Sequence, residues 1–118
     1  MDGKRLQRIV LETSGLADPG PIVEAIRTDP MLVYHIVVTE ILVAVDALHG
    51  VTQLRTEPLG RRQTEIADRL VVTKVDEAGE AELAQLLATL RALNPGAGIS
   101  GAVRGSPAPL PSFDAIEP

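Results

Sequence analysis

The hydrophobic positions of this chain follow two spacings. Short continuous apolar runs rich in β-branched residues mark buried strands. One lies at residues 7–11, ending Ile9-Val10-Leu11, one at Ile41-Leu42-Val43-Ala44-Val45, and one at Leu70-Val71-Val72-Thr73. The stretch His35-Ile36-Val37-Val38 is also strand-like, but the run at 41–45 is longer and ends cleanly in Asp46. Leu83, Leu86, Leu87, Leu90 and Leu93 instead recur at i, i+3, i+4 and i+7, which predicts a helix over 79–93. Glu80 and Glu82 suit its positive end, Arg91 suits its negative end, and Asn94-Pro95-Gly96 closes it.

Weaker signals fill the gaps. In Asp18-Pro19-Gly20-Pro21 an acid that can cap a helix precedes prolines suited to a first turn. Ile22, Val23 and Ile26 would form the inner face of that helix, and Thr28-Asp29-Pro30 would end it. A loop is expected from Asp46 to Pro58. A polar helix is expected over 60–68, with Arg61, Arg62, Glu65 and Asp68 outward and Ile66 and Ala67 inward. A weak strand is expected near 98–103. Residues 105–118 carry four prolines and read as an extended tail or linker, which leaves 1–104 as the folded part.

Strands alternating with helices define an α/β fold with a mostly parallel sheet flanked by helices. Ligands of such sheets bind at the carboxyl ends of the strands. The polar groups in those places are Glu12 to Gly15, Asp46 to Gly50 and Thr73 to Asp76.

Composition removes several alternatives. With 118 residues the chain has room for one domain with a true core. Its 11 Lys+Arg against 16 Asp+Glu give a net charge of −5, which disfavours nucleic acid and anionic membrane as partners. Absence of cysteine excludes disulfides, thiolate metal sites and a thiol nucleophile. Two histidines far apart, His35 and His49, do not suggest a closed zinc site. Gly-x-Ser-x-Gly is absent, so Ser14 has no hydrolase context. No apolar run is long enough to span a bilayer, and no secretory leader follows Met1-Asp2-Gly3-Lys4-Arg5; the expected compartment is the cytoplasm.

Two motifs can carry chemistry. In Glu12-x-x-Gly15 an acid at a strand tip could hold a Mg²⁺-bound water, and the glycine would let a backbone N–H approach a γ-phosphate. About one chain in two of this length contains that spacing by chance, and an acid capping a turn fits it equally. Thr73-Lys74-Val75-Asp76 is rarer. The Asp76 carboxylate can accept hydrogen bonds from N1–H and the exocyclic amine of guanine. Adenine has no N1–H and would leave the carboxylate unpaired, a difference that can discriminate by roughly 10⁴. The Lys74 stem can pack along the base. A plain charged pair at a strand end also fits the string. Asp46 could act as a second acid near the phosphates or simply cap its loop.

The longer string Glu12-Thr13-Ser14-Gly15-Leu16-Ala17-Asp18-Pro19 resembles the second-acid signature of the CobW family of P-loop GTPases, the CobW/HypB/UreG group associated with metal insertion. Further segments resemble that family in the same order. Val43 to Ala47 is similar to its next strand, Gln63 to Asp76 to a helix, a strand and the guanine motif, and Leu93 to Ala97 to the approach to the following strand. The resemblance covers roughly residues 8–103. It implies a P-loop NTPase-type sheet and GTP hydrolysis coupled to handling a divalent metal such as zinc or cobalt, with a metalloprotein client as a partner. It also implies roles: Glu12 coupled to Mg²⁺ and the attacking water, Gly15 at the γ-phosphate, and Thr73, Lys74 and Asp76 around guanine. Many members have Asn where Thr73 stands, so an amide that braces the base loop is replaced here by a hydroxyl.

The string Gly-x-x-x-x-Gly-Lys-[Ser/Thr] that cradles phosphates occurs nowhere in the 118 residues; nor do the family's cysteine motif and C-terminal domain. The expectation is therefore a partial domain, inactive in isolation, lacking the strand that would lie between those ending at Glu12 and Asp46. Two other readings of the residues exist. One is a non-catalytic interaction module on a degenerate GTPase sheet. The other is a different doubly wound domain with a phosphate-handling acid at Glu12.

Overall fold

The computed structural model describes residues 8–13 and 17–110. The elements run α1 (Pro19–Thr28), β1 (Leu42–Asp46), α2 (Gly50–Thr56), α3 (Pro58–Ile66), β2 (Arg69–Thr73), α4 (Glu80–Leu93), β3 (Gly98–Val103) and β4 (Ser106–Ala108), with 3₁₀ turns at Leu32–Tyr34 and Val75–Glu77. The four strands form one sheet in the order β1-β2-β3-β4. β1, β2 and β3 are parallel and β4 is antiparallel to β3. The mostly parallel α/β sheet with flanking helices is the fold the hydrophobic spacing predicts.

Register decides which residues meet. Val43 pairs with Leu70, Val45 with Val72 and Asp46 with Thr73, while Leu70 pairs with Ile99 and Val72 with Gly101. Side chains alternate across a sheet, so Val43, Val45, Leu70, Val72 and Ile99 share one face. Against it pack Leu54 of α2 and Leu83, Leu86, Leu87 and Leu90 of α4. Leu70, Val72, Leu86, Leu87 and Leu90 are fully buried, each contributing about 1.5–3 kcal/mol by leaving water. This is the leucine stripe of the sequence. The opposite face, with Leu42, Ala44, Val71, Ser100 and Ala102, is exposed or half-buried.

The N-terminal run departs from expectation. Residues 8–13 form no strand, and Ile9, Val10 and Leu11 are exposed. A β-branched run makes a strand only where an edge receives it. Here β1 ends the sheet, and residues 8–13 do not pair with it. The run His35 to Val38 likewise stays out of the sheet.

Two elements escape the sequence pattern. α2 occupies the expected loop; it is short, begins with glycine and has no side-chain N-cap bond. Gly50 is needed for its approach to the sheet, since a Cβ there would lie 2.9 Å from both Leu86 Cδ1 and Val45 Cγ1. β4 falls in the expected tail. It folds back through Arg104 and Gly105, both at positive φ (50° and 82°), as a tight two-residue hairpin requires.

Side chains lock the layers. Asp18 caps α1 through Gly20 N–H at 3.0 Å and pairs with Arg62 of α3 at 3.0 Å, while Gln63 Nε2 donates to Ala17 O. Asn94, just after α4, donates its amide to the carbonyls of Thr64, Glu65 and Ala67 at the end of α3. Asp68 accepts from Ile41 N–H at 2.7 Å and so ties the start of β1 to the start of β2.

Candidate nucleotide-base site

The carboxyl ends of β1 and β2 lie side by side because Asp46 pairs with Thr73. Chain leaving β2 turns at once. Lys74 sits in the left-handed region (φ 58°, ψ 37°), and the next three residues form a 3₁₀ turn. A non-glycine residue in that region costs about 1–2 kcal/mol, so the surroundings must hold it there. They do so with several bonds. Ala47 N–H donates to Thr73 O at 2.9 Å, and Glu77 N–H donates to Lys74 O at 3.0 Å. Thr73 Oγ1 reaches Val45 O at 3.4 Å, and Lys74 Nζ donates to Asp46 Oδ2 at 3.1 Å.

Asp46 works with both of its oxygens, since Oδ1 accepts from Leu48 N–H at 2.7 Å. Partial burial pushes its carboxyl up. The hydrogen bond from Lys74, the Leu48 N–H, the Lys74 charge and the His49 N–H outweigh that and hold it below its ordinary 3.8. The bond and charge of Asp46 raise the Lys74 ammonium above 10.5, against a slight opposing desolvation and with a small contribution from Glu77. The pair is half open to water, so solvent screens it and it contributes little to stability.

Thr73, Lys74 and Asp76 are thus brought together on one anchored turn. Asp76 is exposed, and its carboxylate has no partner among the described residues. An anchored turn with a free carboxylate beyond it can offer two acceptor oxygens to an N1–H and amine pair. Glu12 lies in the exposed segment 8–13, so the strand tip expected beneath it is absent. Gly15 falls outside the described residues. His35 and His49 are exposed, and no three His, Asp or Glu side chains among the described residues gather to hold a metal ion.

The sequence leaves the role of Asp46 open. The structure gives it the loop cap and adds the contact with Lys74. The signal was available: in a parallel sheet the residues ending adjacent strands meet, and Asp46 and Thr73 are two such residues.

The mostly parallel α/β sheet flanked by helices is of the P-loop NTPase type. Residues 1–100 match the family model for the CobW/HypB/UreG nucleotide-binding domain, and the chain belongs to that family. It is 36% identical over 92 residues to the zinc chaperone YjiA of Escherichia coli strain K12, which covers 77% of this chain and 29% of that protein. The crystal structure of Zn(II)-bound YjiA GTPase from E. coli superposes with a TM-score of 0.70 at 33% identity, covering 78% of this chain and 28% of that one. A Zn(II)-bound triple mutant of YjiA GTPase gives 0.71 at 30% identity, covering 87% and 32%. The chain thus spans less than a third of the length of these relatives.

Proposed function

We propose that this chain is the base-recognising part of a GTP-binding, GTP-hydrolysing metallochaperone-type protein. Guanine nucleotide is the ligand, and a divalent metal, zinc or else cobalt, is the cargo passed to a metalloprotein client in the cytoplasm. The anchored turn at 73–76 carries this reading. Its two strand ends fix the backbone, and it leaves the Asp76 carboxylate exposed where a base could meet it. Zinc enters through the name of the E. coli relative. Glu12 and Gly15 are assigned to the γ-phosphate end, with Mg²⁺, by their match to the family's signature; no step is built on them.

Within these residues the work is recognition. Asp76 accepts the two guanine N–H groups, Lys74 lays its stem beside the ring, and Thr73 holds the turn to β1. Binding of GDP and ADP to the 118-residue chain, followed by NMR titration, tests the reading. GDP should bind more tightly than ADP, and Asp76→Ala should abolish the difference. Equal binding of the two nucleotides, or a preference that survives Asp76→Ala, would refute it. GTP turnover by the same chain should stay near background, because no phosphate-cradling motif occurs in it.

A further inference from the structure

We infer that Asp46, at the end of β1, is a positioning residue for the base turn: its carboxylate holds the Lys74 ammonium so that the Lys74 stem lies ready to flank a bound base. The inference rests on the guanine reading of residues 73–76 and adds to it a residue from a different strand, 28 positions earlier.

Three observations carry it. First, the two oxygens of Asp46 have separate tasks, Oδ1 on Leu48 N–H at 2.7 Å and Oδ2 on Lys74 Nζ at 3.1 Å. The carboxylate is thereby fixed by backbone on one side and free to orient a side chain with the other. Second, Lys74 sits at φ 58°. That backbone geometry aims the side chain in a direction which ordinary loop residues rarely take, and Asp46 is the partner that receives it. Third, the contact is tertiary. It joins the ends of two paired strands whose backbones are already tied by Ala47 N–H to Thr73 O at 2.9 Å. A lysine side chain carries much rotamer freedom. Restraining it before the ligand arrives lowers the cost of ordering it on binding.

The two tasks can be separated by substitution. Asp46→Asn keeps an oxygen for Leu48 N–H and loses the charge that holds Lys74. Lys74→Met keeps an apolar stem and loses the ammonium. GDP affinity of the 118-residue chain would be measured for wild type, each single variant and the double variant, at about 50 mM and 1 M NaCl, with thermal melts alongside. Asp46→Asn should weaken GDP binding by about two- to five-fold at low salt, the span expected of an exposed ion pair. The wild-type to variant ratio should approach one at high salt, where exposed charges are screened. In the Lys74→Met background Asp46→Asn should change nothing further.

A merely structural Asp46 predicts instead a loss of affinity that persists at high salt and in the Lys74→Met background. That result, or unchanged affinity in Asp46→Asn, overturns the inference while wild-type GDP binding leaves the guanine reading intact. Should Asp46→Asn fail to fold, the cap and the clamp are not separable and the inference also falls. Failure of the wild-type chain to prefer GDP over ADP overturns the guanine reading itself.

Discussion

Removing the amide of Asn94 tests how the helical layer is held to itself. Asn94 follows α4, yet its side chain serves α3. Nδ2 lies 2.9 Å from Thr64 O, 2.7 Å from Ala67 O and 3.3 Å from Glu65 O. The last carbonyls of a helix have no partner within it, so Asn94 acts as a C-cap delivered from elsewhere in the chain. Two of the three contacts are short, and a net hydrogen bond contributes about 1 kcal/mol. Asn94→Ala should therefore cost about 2 kcal/mol. With an unfolding entropy of about 2.1 cal/mol/K per residue, a chain of 118 residues melts about 8 °C lower for that loss. Asn94→Asp should be worse than alanine at neutral pH, because a carboxylate would face three carbonyl oxygens. Melting followed by far-UV circular dichroism measures both. A drop under 2 °C for alanine, or an aspartate variant as stable as wild type, would show that the cap is not what joins the two helices.

Two further outcomes follow from the packing and the charges. Gly50→Ala should lower stability by about 1–3 kcal/mol, the usual cost of overpacking, since the new methyl meets the buried Leu86 and Val45 at 2.9 Å; urea titration reads this, and an unchanged midpoint would contradict the close approach. Asp46 has a depressed folded pKa, so its stabilisation is present above about pH 3.8 and is lost as pH falls through the folded value. Lys74 has a raised one, so its share is present below about pH 10.5 and is lost as pH rises through its folded value. The stability gap between wild type and Asp46→Asn should be flat from pH 5 to 8 and shrink in acid; a gap that widens in acid would reverse the sign argued here.

How much of this was legible depended on whether an element's signal lay within itself. The leucine spacing of 83–93 and the run 70–73 each determine their own burial, and both appear where the pattern puts them. The Pro19 helix is likewise announced by Asp18. Residues 8–11 are the opposite case, because a strand depends on pairing with a neighbouring edge and this run pairs with none of the described strands. α2 is hidden by its glycine start, and β4 by prolines that suggest a tail. At the site, the string Thr73 to Asp76 could be read in advance; that Asp46 meets it follows from two adjacent strand ends, whereas the individual bonds from Val45 and Ala47 depend on the register. Family membership was legible from the string Glu12 to Pro19.

The parity of β1 has a kinetic counterpart. Ala47 N–H points to Thr73 O, so in a parallel ladder the odd positions of β1 face β2 and Leu42, Ala44 and Asp46 turn their amides outward. β2, paired on both sides, has no outward amides. In deuterium oxide the sheet should therefore label as a comb. Alternate β1 amides would exchange within the dead time, and the Leu70 and Val72 amides would wait for global opening. The protection pattern itself would mark the edge at which a further strand could be received.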